Sequence, residues 1–505
     1  MKISKLHIAT LVVSLALYIF IWNKCNVDYI RSNSLKDKNY SSWLLVHNST
    51  IFSIDNYWYT SQIKNYLKTR SFTIDPHIYS YDVRRTPVYP LFYGFHYILF
   101  GESGSYQYIR YTQVFIFLLA TVCLFFATYN FTGSTIIAWL AALAYGFNPT
   151  LVTYLYYTIT EALSPSLVCF LLFLLSLAYK EPKRRYWIAA GAMFALATLC
   201  RPSIVLISIA IAYLIIHINI KRPLRIILTG FYFSAGAALF FAPHLIRNYI
   251  ITDGEIIVLE KYYGDPMNYG MPNIHLRKWI SCWTNPADYS SEVISNKMIN
   301  QIAVSNSDKD KQQLISTLMQ QLPERALIAN NKSDITAAYN ALYDYYRAKQ
   351  QKLPTANTIG NNAISKLVKL EKNIKHKAPE QVYIFTPLLF VKSIIVQSNS
   401  YPIPVLSDYQ GKRLLIIIKG IMLLFNIYLF ISIFMGSFFI KNQRMIMIFS
   451  SLYVLASFLF IIYSIRYFEA RYLIPIFPVL YITGAIYGYH IAKRISLKIT
   501  PPDNA

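Results

Sequence analysis

The feature that most constrains this chain is a recurrence of apolar runs about as long as a bilayer is thick. They fall at roughly 6–22, 110–130, 134–152, 162–180, 203–220, 224–246, 414–440, 445–465 and 473–493. A helix needs about 20 apolar residues to cross the hydrocarbon layer. A shorter run, 186–200, lies between EPKRRY and Arg201-Pro202 and pairs with 203–220 as a helical hairpin, for about ten spans in all. Composition agrees, with 55% hydrophobic and only 14% charged residues, where a soluble domain carries about a quarter. The expected fold is therefore an all-α polytopic membrane protein.

Charge sets the orientation. The net charge is +24, from 48 Lys and Arg against 24 Asp and Glu, and in a membrane protein such an excess collects in cytoplasmic loops and against anionic headgroups. EPKRR (181–185), KRPLR (221–225), KNQR (441–444) and AKRISLK (492–498) are all basic. With ten spans all four fall on the N-terminal side, so both termini are expected in the cytoplasm of a cell with this plasma membrane. Residues 23–109 then form one external loop within a membrane core of 1–246. Residues 247–412 form a second, larger loop, and 413–505 return to the membrane with a short basic tail. No basic helix or aromatic platform points to nucleic acid. The N-terminal run lacks an A-x-A cleavage site and reads as a retained span. VYPLFYGFHYILFG (88–101) is short, holds His96 and two glycines, and reads as an interfacial helix of the first loop. After about residue 290 the second loop has helical spacing, and 382–396 reads as an interfacial segment. Five cysteines show no CxxC or Cys/His spacing, so no metal centre is expected from them.

Polar groups at the external span boundaries carry the chemical information, because burying them costs several kcal/mol unless something uses them. Asp55 lies in IDNYWY, Glu161 in YYTITEALSP, Arg84 and Arg85 in RRTPVYP, and Arg201 in a tight hairpin. APHLIRNY (242–249) and IRYFEARYLIPIFP (465–478) add Arg247, Asn248, Glu469 and Arg471. Each has a bland alternative: a helix-start acid favoured by the macrodipole, a snorkelling arginine, or a structural ion pair. Together they describe one face with two carboxylates and several guanidiniums. The guanidinium fork suits phosphate oxygens, and a neighbouring carboxylate suits a general base toward a hydroxyl. A membrane enzyme with these parts would act on a phosphate-linked lipid. Tyr57, Trp58 and Tyr59 would anchor the loop at the interface.

The order of these motifs resembles the GT-C glycosyltransferases of the protein O-mannosyltransferase-like superfamily, the branch with the lipid A aminoarabinose transferases and RgtA/B/C/D-like enzymes. The matching stretches are IDNYWYTSQIKNYLKT, RRTPVYPLFYGFHYILFG, YGFNPTLVTYLYYTITEALSPSL, GAMFALATLCRPS, APHLIRNYIITDGE and RYFEARYLIPIFP. The resemblance implies a GT-C fold and an inverting transfer, hexosyl or pentosyl, from a polyprenyl-phosphate sugar to a glycolipid, polysaccharide or other envelope acceptor on the external face. It implies Asp55 as the base that activates the acceptor, with Glu161 as its catalytic companion. Arg84, Arg85, Arg201 and Arg471 would face the donor phosphate. Tyr57, Trp58, Tyr89, Arg247, Asn248 and Glu469 would contact sugar or acceptor. Membrane lipid is an expected partner. Relatives differ on a divalent cation bridging the two acids, so no cofactor or metal ligand is assigned. Two departures stand out: many relatives carry a second acid where Asn56 stands, and the usual Pro-Gly-Tyr-Pro turn reads Pro87-Val88-Tyr89-Pro90. Rival readings are a flippase for lipid-linked glycans and a ligase or polymerase that uses a lipid diphosphate.

Overall fold

The computed structural model describes residues 5–36, 44–74, 83, 85–258, 270–284, 290–305, 307–396, 402–407, 413–466 and 469–499. They divide into two compact units, the first made of 1–260, 398–457 and 470–505, the second of 261–397 and 458–469.

The first unit begins with α1 (Lys5–Lys36) and a short antiparallel hairpin, Leu45–Val46 with Thr50–Ile51. In its three-residue loop His47 and Asn48 both take positive φ (47° and 53°), and Ser49 N donates to Val46 O (2.9 Å) to close the β-turn. Next come α2 (Ile54–Thr69) and α3 (Val88–Thr132). Gly101 (φ 68°, ψ −171°) breaks α3 into two helices, so 88–100 forms a helix of its own before the longer span. The series continues with α4 (Thr135–Gly146), α5 (Pro149–Tyr154), α6 (Ser164–Lys180), α7 (Arg184–Cys200), α8 (Ile207–Asn219) and α9 (Pro223–Ile251). Arg413–Phe439, Arg444–Leu459 and Phe477–Ile499 follow late in the chain.

Among the described residues, eight helices are long and apolar enough to cross a membrane, or nine if one bent pair counts as a span. The expected count was ten, and the two shortfalls have local causes. The run 134–152 is split at Phe147-Asn148-Pro149. There the Asn148 side chain accepts from Leu151 N (2.9 Å) and Pro149 opens α5, an N-cap followed by a proline whose missing N–H costs nothing at a helix start. The run 186–200 is one helix, α7, of 17 residues, the lower limit of what spans. The bent pair is Ala356–Lys377 with Gln381–Val396, at 94°.

Polar ties inside the first unit hold its helices in register. Trp22 Nε1 donates to Thr153 Oγ1 (2.8 Å) and Asn23 Nδ2 to Val152 O (3.0 Å), joining α1 to α5. Helices α7 and α9 meet backbone to backbone: a Cβ on Gly191 would lie 1.9 Å from Phe233 O, and one on Gly236 2.0 Å from Ile188 O. Small residues at a helix crossing permit this approach in lipid.

The second unit is helical. Gly270–Ile280, Ser291–Val304, Asp308–Gln320, Lys332–Gln350 and Ala356–Lys377 enclose a core of Trp279, Trp283, Tyr339, Leu342 and Leu367. Ser290 and Ser307 cap two of these helices, accepting from Glu292 N and Asp310 N (both 3.1 Å).

Candidate active site

Asp55 and Glu161 lie in separate loops of the sequence, and two contacts bring those loops together. Ile51 N donates to Tyr156 O (2.7 Å), and the Thr158 hydroxyl donates to Asn56 Oδ1. Asn56 is buried and works as the clamp between α2 and the 156–162 segment.

Local folding places each side chain. Asp55 occupies the first turn of α2 and Glu161 a single 3-10 turn ahead of α6, so both are helix-start acids as the bland reading holds. Their oxygens nevertheless go to arginines. Arg201 precedes Pro202, which disfavours the helical conformation. It is therefore extended (φ −143°, ψ 109°) and ends α7. Arg471 lies in the 3-10 turn Ala470–Ile476 that leads into the last long helix.

Arg471 is the hub. Its Nη1 pairs with Asp55 Oδ2, and its Nε lies 3.7 Å from Glu161 Oε1. Arg85 Nη2 lies 3.5 Å from the other Asp55 oxygen. Arg201 Nη1 is 2.7 Å from Glu161 Oε1 and donates to Thr160 Oγ1 (3.2 Å), and its Nη2 donates to the Arg471 carbonyl (3.1 Å). Thr160 in turn donates to Glu161 Oε2 (3.0 Å). Depth separates the two acids: the Asp55 side chain is 19% exposed and that of Glu161 2%. Asp55 with Arg85 and Arg471 therefore forms an accessible rim, and Glu161 with Arg201 the floor. Among the described residues, three guanidiniums face two carboxylates.

Arg85 also lies over the rings of Trp58 (5.7 Å) and Tyr59 (5.3 Å). Tyr59 is buried, meets Tyr89 edge-on at 5.5 Å, and accepts from Arg85 Nη1 (3.5 Å). Burial pushes its phenol above the ordinary value, opposed by the Arg85 charge, so it stays protonated at neutral pH. Tyr59 was noticed in the sequence only as one of three aromatics. Helical spacing could have singled it out, since Asp55, Trp58 and Tyr59 stand at i, i+3 and i+4 and Tyr57 does not share their face.

The other expected residues have other surroundings. Arg84 lies outside the described residues. Tyr57 is more than half exposed, and its hydroxyl points to Ile74 O (3.5 Å). Tyr89 is fully buried, with its hydroxyl on Gln113 (2.8 Å). Arg247 and Asn248 belong to a cluster around His244 and Val258: Arg247 donates to Asn248 Oδ1 (2.9 Å), and Asn248 Nδ2 to Val258 O (3.0 Å). Glu469 is half-buried in the second unit. Among the described residues, no three His, Cys, Asp or Glu side chains come together as a metal site. Two carboxylates already paired with arginines are also a poor donor set for a divalent cation.

With its long apolar helices, the chain is an all-α polytopic membrane protein. Residues 84–246 match the family model described as dolichyl-phosphate-mannose-protein mannosyltransferase, which bears out the resemblance to the GT-C superfamily over that stretch. The stretch holds Arg85, Glu161 and Arg201 and leaves out Asp55 and Arg471. No curated protein matches the chain. Among solved structures it is similar to an Archaeoglobus fulgidus oligosaccharyltransferase in complex with Zn and sulfate, at 12% identity and a TM-score of 0.47, covering 97% of this chain and 51% of that one. The archaeal oligosaccharyltransferase AglB from Archaeoglobus fulgidus, in complex with an inhibitory peptide and a dolichol-phosphate, gives 12% identity and a TM-score of 0.46, covering 99% and 52%. ArnT from Cupriavidus metallidurans in the apo state gives 13% identity and a TM-score of 0.35, covering 98% and 81%. The chain thus spans about half the length of the archaeal enzymes it matches.

Proposed function

We propose that this protein is a membrane glycosyltransferase that moves a sugar from a polyprenyl-phosphate donor to a hydroxyl of a glycolipid, polysaccharide or other cell-envelope acceptor, on the external face of the plasma membrane. The observation that carries the reading is Arg471 bridging an accessible carboxylate, Asp55, and a buried one, Glu161. A donor phosphate is the ligand that the guanidiniums at the rim suit. Its oxygens compete with Asp55 for Arg85 and Arg471, which releases the carboxylate to act as base.

Asp55 then takes the proton of the acceptor hydroxyl, and that oxygen attacks the anomeric carbon from the side opposite the phosphate. The carbon–oxygen bond to phosphate breaks, configuration inverts, and the lipid phosphate leaves against the guanidiniums. Pre-placed donors of this kind contribute about 3–4 kcal/mol each to transition-state stabilisation. Glu161 is too deep to meet an acceptor; it holds Arg201 and Arg471 in place. The match over residues 84–246 supports a lipid-linked donor in general.

The test separates this reading from its rivals. Purified protein in liposomes is given a radiolabelled polyprenyl-phosphate sugar or the corresponding diphosphate, together with extracted membrane acceptors. Label moving into the acceptor from the monophosphate only is the expected result. Transfer from the diphosphate alone, or movement of intact donor across the bilayer without transfer, would overturn it.

A further inference from the structure

Given the transfer reaction proposed for the Asp55 cluster, on which this rests, we infer that Tyr59 is a further residue of the donor site. Its phenolic O–H donates a hydrogen bond to a non-bridging oxygen of the lipid phosphate, a neutral donor beside the guanidiniums.

The ring is held from several sides. Tyr59 stands one turn beyond Asp55 on α2, so the two share a face. The Arg85 guanidinium lies over its ring at 5.3 Å, and Tyr89 meets it edge-on at 5.5 Å. Tyr89 itself spends its hydroxyl on Gln113 Oε1 (2.8 Å), and Tyr57 points its own to Ile74 O (3.5 Å). Of these three tyrosines it is Tyr59 whose hydroxyl reaches the charged cluster.

That hydroxyl has a proton to give. It accepts from Arg85 Nη1 (3.5 Å), and among the described residues this is its one hydrogen bond, so no acceptor there takes its own proton. The charges of Arg85, Glu161, Asp55 and Arg201 all bear on it. Neither oxygen of Asp55 takes the proton: one lies 3.5 Å from Arg85 Nη2 and the other pairs with Arg471. A buried donor without an acceptor carries a cost that an incoming oxygen removes. Arg85 shows where that oxygen arrives. Its Nη2 faces Asp55 and its Nη1 the Tyr59 hydroxyl, so a phosphate that replaces Asp55 at Nη2 lies beside the phenol.

No proton is transferred in this contact. The donor phosphodiester carries one negative charge, and the leaving phosphate gains a second as the bond to the anomeric carbon breaks. The hydrogen bond therefore strengthens toward the transition state, which raises kcat more than it lowers donor KM.

Tyr59→Phe keeps the ring under Arg85 and removes only the hydroxyl. Transfer from a labelled polyprenyl-phosphate sugar is measured with the full chain in liposomes, and binding of the product, polyprenyl phosphate, by calorimetry in detergent. In the variant kcat should fall about 10–100-fold, the loss of one hydrogen bond to a charged group, with donor KM changed far less. Product binding should weaken about tenfold or more. The melting temperature should match that of the wild type, because the hydroxyl has no acceptor to lose. The ratio of the two rates should stay flat from about pH 6 to pH 9, since burial keeps the phenol protonated. Wild-type kcat and product binding in the variant would overturn the inference, and so would a rate loss that leaves product binding unchanged. Wild-type protein that binds polyprenyl phosphate but moves no sugar would overturn the transfer reaction instead, and leave Tyr59 in its place.

Discussion

Asp55 and Glu161 are acids in the first turns of neighbouring elements, and what divides them is depth. Glu161 forms a buried pair with Arg201, and removing one partner of such a pair strands the other charge, at a cost of about 3–5 kcal/mol. Glu161→Gln should therefore lower thermal stability in detergent by an amount in that range, whereas Asp55→Asn, at the rim, should cost far less. Asn56 makes a separate prediction. Asn56→Ala loses the Thr158 bond and leaves a buried hydroxyl unsatisfied, a loss of about 1–3 kcal/mol. Because α2 then sits less firmly against the 156–162 segment, kcat should fall more than donor KM rises. Asp55, Glu161, Arg85, Arg201 and Arg471 were all legible as separate motifs, but that Arg471 joins both acids was not. Sequence order says nothing about which of several arginines lies closest. The clamp role of Asn56 was hidden for a similar reason: it read as a missing acid, and its partner Thr158 carries no motif of its own.

At the scale of elements, hydropathy alone gave away the helices, because a bilayer imposes a length on them. Where a helix broke depended on single residues: Asn148-Pro149 ends one run early, and Gly101 splits another. The pairing of α7 with α9 was not legible, since Gly191 and Gly236 are ordinary in a span until their neighbours are known. Gly191→Ala and Gly236→Ala each drive a methyl into a backbone carbonyl. Each should destabilise by about 1–3 kcal/mol or more, read as a lower melting temperature and a poorer yield of folded protein in detergent. Ala→Gly changes at lipid-facing positions of the same helices should leave the crossing intact.

For the whole molecule, the account rests on orientation. The basic loops at 181–185, 221–225, 441–444 and 492–498 have to lie opposite Asp55. In a background without the five native cysteines, Ile54→Cys, at a position 76% exposed, should react with an impermeant maleimide on intact cells. Lys183→Cys should react only after lysis. Labelling of Lys183→Cys in intact cells, with Ile54→Cys reacting only after lysis, would place the site on the wrong face, and equal labelling would put both positions on one face. The helical character of the second unit was legible from its spacing.

The central claim is that Asp55 is the base. Single-turnover transfer from a labelled polyprenyl-phosphate sugar tests it, with wild-type protein beside a folded Asp55→Asn variant loaded with the same donor. The account predicts a rate lower by about 10²–10⁴-fold in the variant, the range a positioned general base supplies, with donor binding retained. Transfer at the wild-type rate would contradict it.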